Sequence, residues 1–150
     1  MVEDFRDLLD AFVVADVRFL IVGAHALGAH GVPRATVDLD IWIDRTPANV
    51  ERVWQALVAF GAPLNALQIT TADFAKPDVV IQFGLPPFRI DILTGISGVG
   101  FDEAWNERIE APFEDVPVHY LGRRALLQNK RAAGRRKDLA DLESLGEDVV

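Results

Sequence analysis

The sequence predicts an α/β (α+β) fold: a small mixed β-sheet with flanking helices and two helices at the C-terminal end. Three observations predict it. Val37, Leu39, Ile41 and Ile43 alternate with Asp38, Asp40, Trp42 and Asp44, the period-two pattern of a strand with one buried face. Phe5, Leu8, Leu9, Phe12 and Val13 follow the helical period instead, and so do Val50, Val53, Trp54, Leu57 and Val58. Short apolar runs bounded by glycine and proline then recur through the second half.

In order, the chain opens with an amphipathic helix and continues into a short buried strand, Arg18 to Val22. Gly23 breaks that strand, and Ala24 to Ala29 read as a short helix ending at Gly31. The alternating strand covers Val37 to Ile43. Thr46 caps the next helix with Pro47 at its first position, and Gly61 ends it. Ala62 to Lys76 carries no clear period. Val79 to Phe83 and Phe88 to Leu93 read as strands around a turn at Gly84-Leu85-Pro86-Pro87. Gly95 to Gly100 reads as a flexible loop, and Phe101 to Glu107 as a short helix. Glu110 to Phe113 and Val116 to Tyr120 read as two edge strands, with His119 on the second. Helices from Arg124 to Ala133 and Arg136 to Leu145, separated by Gly134, complete a single domain over residues 1–150.

Composition narrows the function. Half of the residues are hydrophobic and 25% are charged, an ordinary globular balance. No apolar run approaches the length of a membrane span, and the acidic N-terminal segment does not read as a signal peptide. The absence of cysteine removes disulfide and thiol chemistry and fits a cytoplasmic location. The net charge of −8 argues against a protein that merely coats nucleic acid. Yet seven of the 15 basic residues fall between Arg123 and Lys137, so an acidic body carries one basic patch suited to an anionic substrate.

The strand pattern carries chemistry as well as fold. It sets Asp38 and Asp40 side by side, their Cα atoms roughly 6.5–7 Å apart. Two like charges so placed repel each other, and a strand has little intrinsic use for aspartate. A divalent cation resolves the conflict, so the pair reads as half of a metal site. In Phe88 to Ile92, Arg89 and Asp91 share the face opposite Phe88, Ile90 and Ile92. Should that strand neighbour the aspartate pair, Asp91 becomes a third carboxylate; otherwise it pairs with Arg34 or Arg89. Three carboxylates on adjacent strands can hold two Mg²⁺, or Mn²⁺ in their place, about 3.5–4 Å apart for an in-line phosphoryl displacement. Gly23 lets the backbone approach a phosphate closely, and the N–H groups from Ala24 onward offer donors to it. Trp42, on the same face as the aspartates, either stacks on a base or packs at the boundary of the core. His25 and His30 lack a third ligand spaced for zinc and read as structural.

These residues resemble a known family. Gly23-Ala24, Asp38-Leu39-Asp40 and the later Asp91, in this order, are similar to the nucleotidyltransferase superfamily of DNA polymerase β-like fold. His25-Ala26, His30-Gly31 and Pro33-Arg34-Ala35-Thr36 extend the likeness to small bacterial AbiEii-type nucleotidyltransferases, many of them toxins. So do Arg89 to Leu93, Asn129-Lys130, Gly134-Arg135 and Lys137 to Leu142. The resemblance implies a polymerase β-like palm and Mg²⁺-dependent transfer of a nucleoside monophosphate from an NTP to a hydroxyl. Asp38, Asp40 and Asp91 would be metal ligands, Asp91 also the base, and Arg34, Thr36 and Lys130 nucleotide contacts. The acceptor would be a tRNA or other RNA end, a protein or a small molecule, and an antitoxin protein would be a partner. One departure stands out: Ala24 occupies the position where the family carries a second glycine or a serine, so a hydroxyl contact to phosphate is missing.

The basic patch gives Lys130 an independent reason to meet phosphate, although its stem could instead cover core beside Leu126 and Leu127. Two other classes compete. A metal-dependent nuclease also uses clustered carboxylates, and Pro77-Asp78 followed by Asp91 fits such a pattern, but Leu93 stands where a lysine is needed. A catalytically degenerate fold that binds nucleotide or a partner protein is the other.

Overall fold

The computed structural model describes residues 3–32, 38–84 and 88–147. Helix α1 (Glu3–Val14) leads into β1 (Phe19–Val22), and α2 (Gly23–Ala29) starts directly at the end of that strand. Then come β2 (Asp38–Ile43), α3 (Pro47–Phe60), α4 (Thr71–Ala75), β3 (Val80–Phe83) and β4 (Arg89–Leu93). The chain closes with α5 (Phe101–Asn106), β5 (Ile109–Phe113), β6 (Val116–Tyr120), α6 (Arg123–Ala133) and α7 (Arg136–Ser144). No described helix is long and apolar enough to cross a membrane.

The six strands form one mixed sheet in the order β3-β4-β2-β1-β6-β5. β1 runs antiparallel to β2, while β2 and β4 are parallel, with Asp38 opposite Arg89 and Asp40 opposite Asp91. β6 joins β1 in parallel through Ile21 and Tyr120 and forms a hairpin with β5. The predicted α/β class with a mixed sheet and flanking helices is therefore observed.

Register explains the two faces. Phe19 opposite Ile43, and Ile21 opposite Ile41, put their side chains on one side with Leu39, Ile90 and Ile92. All of these are buried. Helix α1 covers this side, where the ring of Phe12 meets Phe19 edge-on at 5.3 Å, and α3 packs beside it. The buried Asn49 of α3 accepts from the Arg18 N–H at 2.7 Å and donates to the Arg18 carbonyl at 3.1 Å. This exchange satisfies the backbone where β1 begins. The other side carries Asp38, Asp40, Arg89 and Asp91 at one end. At the other end Trp42, only 2% exposed, meets Phe101 of α5 edge-on at 5.0 Å. Trp42 is thus a packing residue and presents no free face to a base.

Several expectations need correction. β6 lies inside the sheet, so only β5 of that hairpin is an edge, and His119 sits on an interior strand against Trp105. Ala62 to Lys76 contains α4, opened by a capping box between Thr70 and Asp73. Its single turn is too short for periodicity to reveal. Thr46 stands at the start of α3 but makes no side-chain cap; Pro47 does occupy the first turn. Val13 and Val58, assigned to apolar stripes, are exposed, Val58 at 58%. The strand end at Val37 and the turn residues Leu85, Pro86 and Pro87 lie outside the described residues.

Candidate active site

The site is built where β1, β2 and β4 run side by side. Val22, the last residue of β1, is opposite Asp40, so Gly23 follows directly against that carboxylate. Gly23 has φ +70°, and a β-carbon there would overlap the Asp40 side chain. Both facts require glycine: the left-handed backbone disfavours any side chain, and no space exists for one. The turn from β1 into α2 and the aspartate of β2 are therefore shaped to each other.

One strand further from Gly23, Asp91 stands in register with Asp40 and is 8% exposed. The predicted convergence of Asp38, Asp40 and Asp91 on one face is present. Their electrostatics are shared through Arg89, whose Nη2 donates to Asp38 Oδ2 at 3.0 Å and to Asp91 Oδ2 at 3.4 Å. Its Nε donates to Asp91 Oδ1 at 3.1 Å. The two alternatives for Asp91 thus coexist, since it lies beside Asp40 and also pairs with Arg89. As placed, with the guanidinium between Asp38 and Asp91, no three acidic or histidine side chains among the described residues form a ready-made metal cage. Asp40 makes no bond to Arg89. Burial, then the neighbouring charge and hydrogen bond of Asp91, then Asp38, push its carboxyl up to about 7, with Arg89 opposing.

Behind the carboxylates opens a cleft of about 930 Å³. Gly23, Ala24, Asp38 and Asp40 form its sheet wall, and Asn129, Lys130, Arg135 and Lys137 its helical wall. Asp91 is not part of either wall. The sheet side carries carboxylates and the helical side three cations, although Asp141 of α7 and Asp78 also line the cleft. Not every cation is free. Lys130 is 7% exposed, and its ammonium meets Asp141 at 2.9 Å and Asp138 at 3.3 Å, both buried. Arg135 also holds Asp138, at 2.7 Å. Lys130 reaches the cleft wall with its charge already engaged, which disfavours the phosphate contact and favours the alternative in which its stem covers core. Lys137 is exposed and has no ion-pair partner among the described residues. Arg123, Arg124 and Arg131 of the basic patch pair with Glu147, Glu107 and Glu147 respectively.

The Gly95 to Gly100 segment, read from sequence as a flexible loop, borders the cleft and is tied down. Asn129 donates to the Ser97 carbonyl at 3.0 Å, and Gln128 donates to that of Gly98. Gly98 lies so close to Ala132 that a β-carbon would overlap it. His25 is half-buried, its ring packed on Phe5 and Phe113, and that burial lowers its pKa despite its bond to the backbone of Asp38. It is structural, as read. Arg34 and Thr36 lie outside the described residues.

Asn129 was reached only through the family resemblance, whereas Arg135 and Lys137 stood in the basic patch without an individual role. The spacing of two put Arg89 on the Asp91 face as a possible partner, but its bond to Asp38 was not legible there. No family model matches the chain, and no curated protein matches it.

Proposed function

We propose that the chain is a Mg²⁺-dependent nucleotidyltransferase that moves a nucleoside monophosphate from an NTP to a hydroxyl acceptor. The observation that carries this reading is the register of Asp40 with Asp91 on parallel neighbouring strands, with Asp38 beside them and Gly23 packed on Asp40. The donor set fits the cation: all three side chains offer hard oxygen, and Asp40, raised first by burial and then by the charges of Asp91 and Asp38, is only partly relieved by Arg89. Asp38, Asp40 and Asp91 would hold the metal, which when bound supplies Lewis-acid stabilisation of the attacking and leaving oxygens.

The remaining work falls to the chain. The triphosphate lies in the cleft with the exposed Lys137 toward its anionic end, and the Gly23 turn admits the backbone close to it. Asp91 accepts the proton of the acceptor hydroxyl as its oxygen attacks the α-phosphorus. The bond to the bridging oxygen breaks, and pyrophosphate leaves with that electron pair. An RNA or tRNA end, a protein hydroxyl and a small molecule are the acceptor classes. A role as a toxin restrained by an antitoxin protein belongs to the same reading.

One observation favours a second reading. Arg89 ion-pairs with both Asp38 and Asp91, which fits a structural ion-pair network in a non-catalytic relative of the fold. Incubation with each α-labelled NTP, Mg²⁺ and separate pools of RNA, protein and small hydroxyl compounds decides between them. Label on one acceptor class that is absent with Asp40→Asn is expected. No label above that variant in any pool overturns the transferase, and RNA cleavage without label transfer replaces it with a nuclease.

A further inference from the structure

We propose that Arg89 is an internal counter-ion that competes with a divalent cation for the carboxylates of Asp38 and Asp91, so that metal binding displaces its guanidinium. The inference rests on the metal-site reading above. Arg89 lies directly opposite Asp38 in the β2–β4 ladder and two residues before Asp91 on the same face. Its side chain therefore stands between carboxylates from two different strands. It engages both oxygens of Asp91, at 3.1 and 3.4 Å, and Oδ2 of Asp38 at 3.0 Å. Ligation of a cation by either Asp91 oxygen has to break or share one of these bonds.

The guanidinium also has somewhere to go. Its side chain is 38% exposed, whereas that of Asp91 is 12% exposed. Arg89 can turn into solvent while its backbone stays in the ladder, but Asp91 cannot follow it. Two consequences follow. Without a cation, Arg89 supplies the positive charge that lets three carboxylates share one sheet face. With a cation, the same charge opposes binding, so the apparent affinity is lower than the carboxylates alone would give. A planar fork meets two carboxylates through donors on separate nitrogens in a fixed geometry, which a compact ammonium does not reproduce.

Mn²⁺ titration of the full chain, followed by electron paramagnetic resonance, tests this without reference to turnover. Melting of the same preparations is measured in chelator and in saturating Mn²⁺. Arg89→Gln is expected to bind Mn²⁺ about two- to fivefold tighter than wild type, a range suited to a partly exposed ion pair. It is also expected to melt lower in chelator, with the gap narrowing at saturating Mn²⁺. Arg89→Lys should fall between the two proteins and serves as the deciding variant where Arg89→Gln does not fold in chelator. Binding by Arg89→Gln, or in that case by Arg89→Lys, that is equal to or weaker than wild type overturns the counter-ion role and leaves the metal site standing. Absence of binding in wild type and in both variants overturns the metal site itself, and the role of Arg89 with it.

Discussion

At Asp40 the structure concentrates two opposing demands. The carboxylate is half-buried and crowded by Asp91 and Asp38, so without added cation it holds its proton up to about pH 7 against an ordinary value of 3.8. A carboxyl whose folded pKa is raised binds more protons folded than unfolded between those values. Stability therefore falls as pH rises through that window. Asp40→Asn removes the charge. In chelator it should raise the melting temperature at pH 8 and leave it nearly unchanged at pH 4, while abolishing label transfer. Equal gains at both pH values, read by scanning calorimetry, would show that repulsion is not the cause. Gly23→Ala tests the other side of the same contact. A left-handed backbone and an overlap with Asp40 should together cost about 1–3 kcal/mol in denaturant unfolding. A variant as stable as wild type would mean that the turn relaxes away from Asp40.

Among the elements, α6 and α7 are joined by a buried charge cluster. Lys130 from α6 serves Asp138 and Asp141 from α7, and Arg135 supports Asp138 from the start of α7. Removing one partner of such a set leaves buried charge behind, which typically costs about 3–5 kcal/mol. Lys130→Ala should therefore lower the melting temperature by about 10 °C. Its activity per folded molecule distinguishes a bolt between helices from a phosphate contact: near-normal turnover at a temperature where the variant is folded assigns only the first. The same cluster gives an acid limb. Burial pushes Asp138 up, but the bonds from Arg135 and the charge of Lys130 outweigh it and hold the carboxyl below its ordinary value. Its contribution is present above the unfolded pKa and is lost as pH falls through the folded one. Asp40 and Asp138 thus act in opposite directions, and wild type in chelator should be most stable on the acid side of neutrality.

Across the whole molecule, a net charge of −8 coexists with a cleft that carries carboxylates on its sheet side and three cations on its helical side. A cation that binds the folded chain alone stabilises it by mass action, by about 2.7 kcal/mol at a hundred times its dissociation constant. Mg²⁺ should therefore raise the melting temperature of wild type, and raise it far less in Asp38→Asn and Asp40→Asn. An equal rise in all three proteins would point to general screening of the acidic surface.

Much of this was determined by local pattern. Alternation from Leu39 to Ile43 is enough to put Asp38 and Asp40 on one face, because successive side chains on a strand point to opposite sides. The stripes of α1 and α3, the glycine ending α3 and the break at Gly23 are likewise short-range events, readable from a few neighbouring residues. What the local pattern could not decide was which strands become neighbours. β4 lies parallel to β2, and β6 lies inside the sheet rather than at its edge, through contacts far apart in the chain. The fate of each charge depends on those neighbours. For Lys130 the sequence leaves phosphate contact and core cover both open, and only the docking of α7 supplies Asp138 and Asp141 as its partners. Arg89 shares a face with Asp91 by its sequence spacing, but its grip on Asp38 exists only because the two strands align in register. Periodicity determines which way a side chain points; tertiary packing decides what stands in front of it.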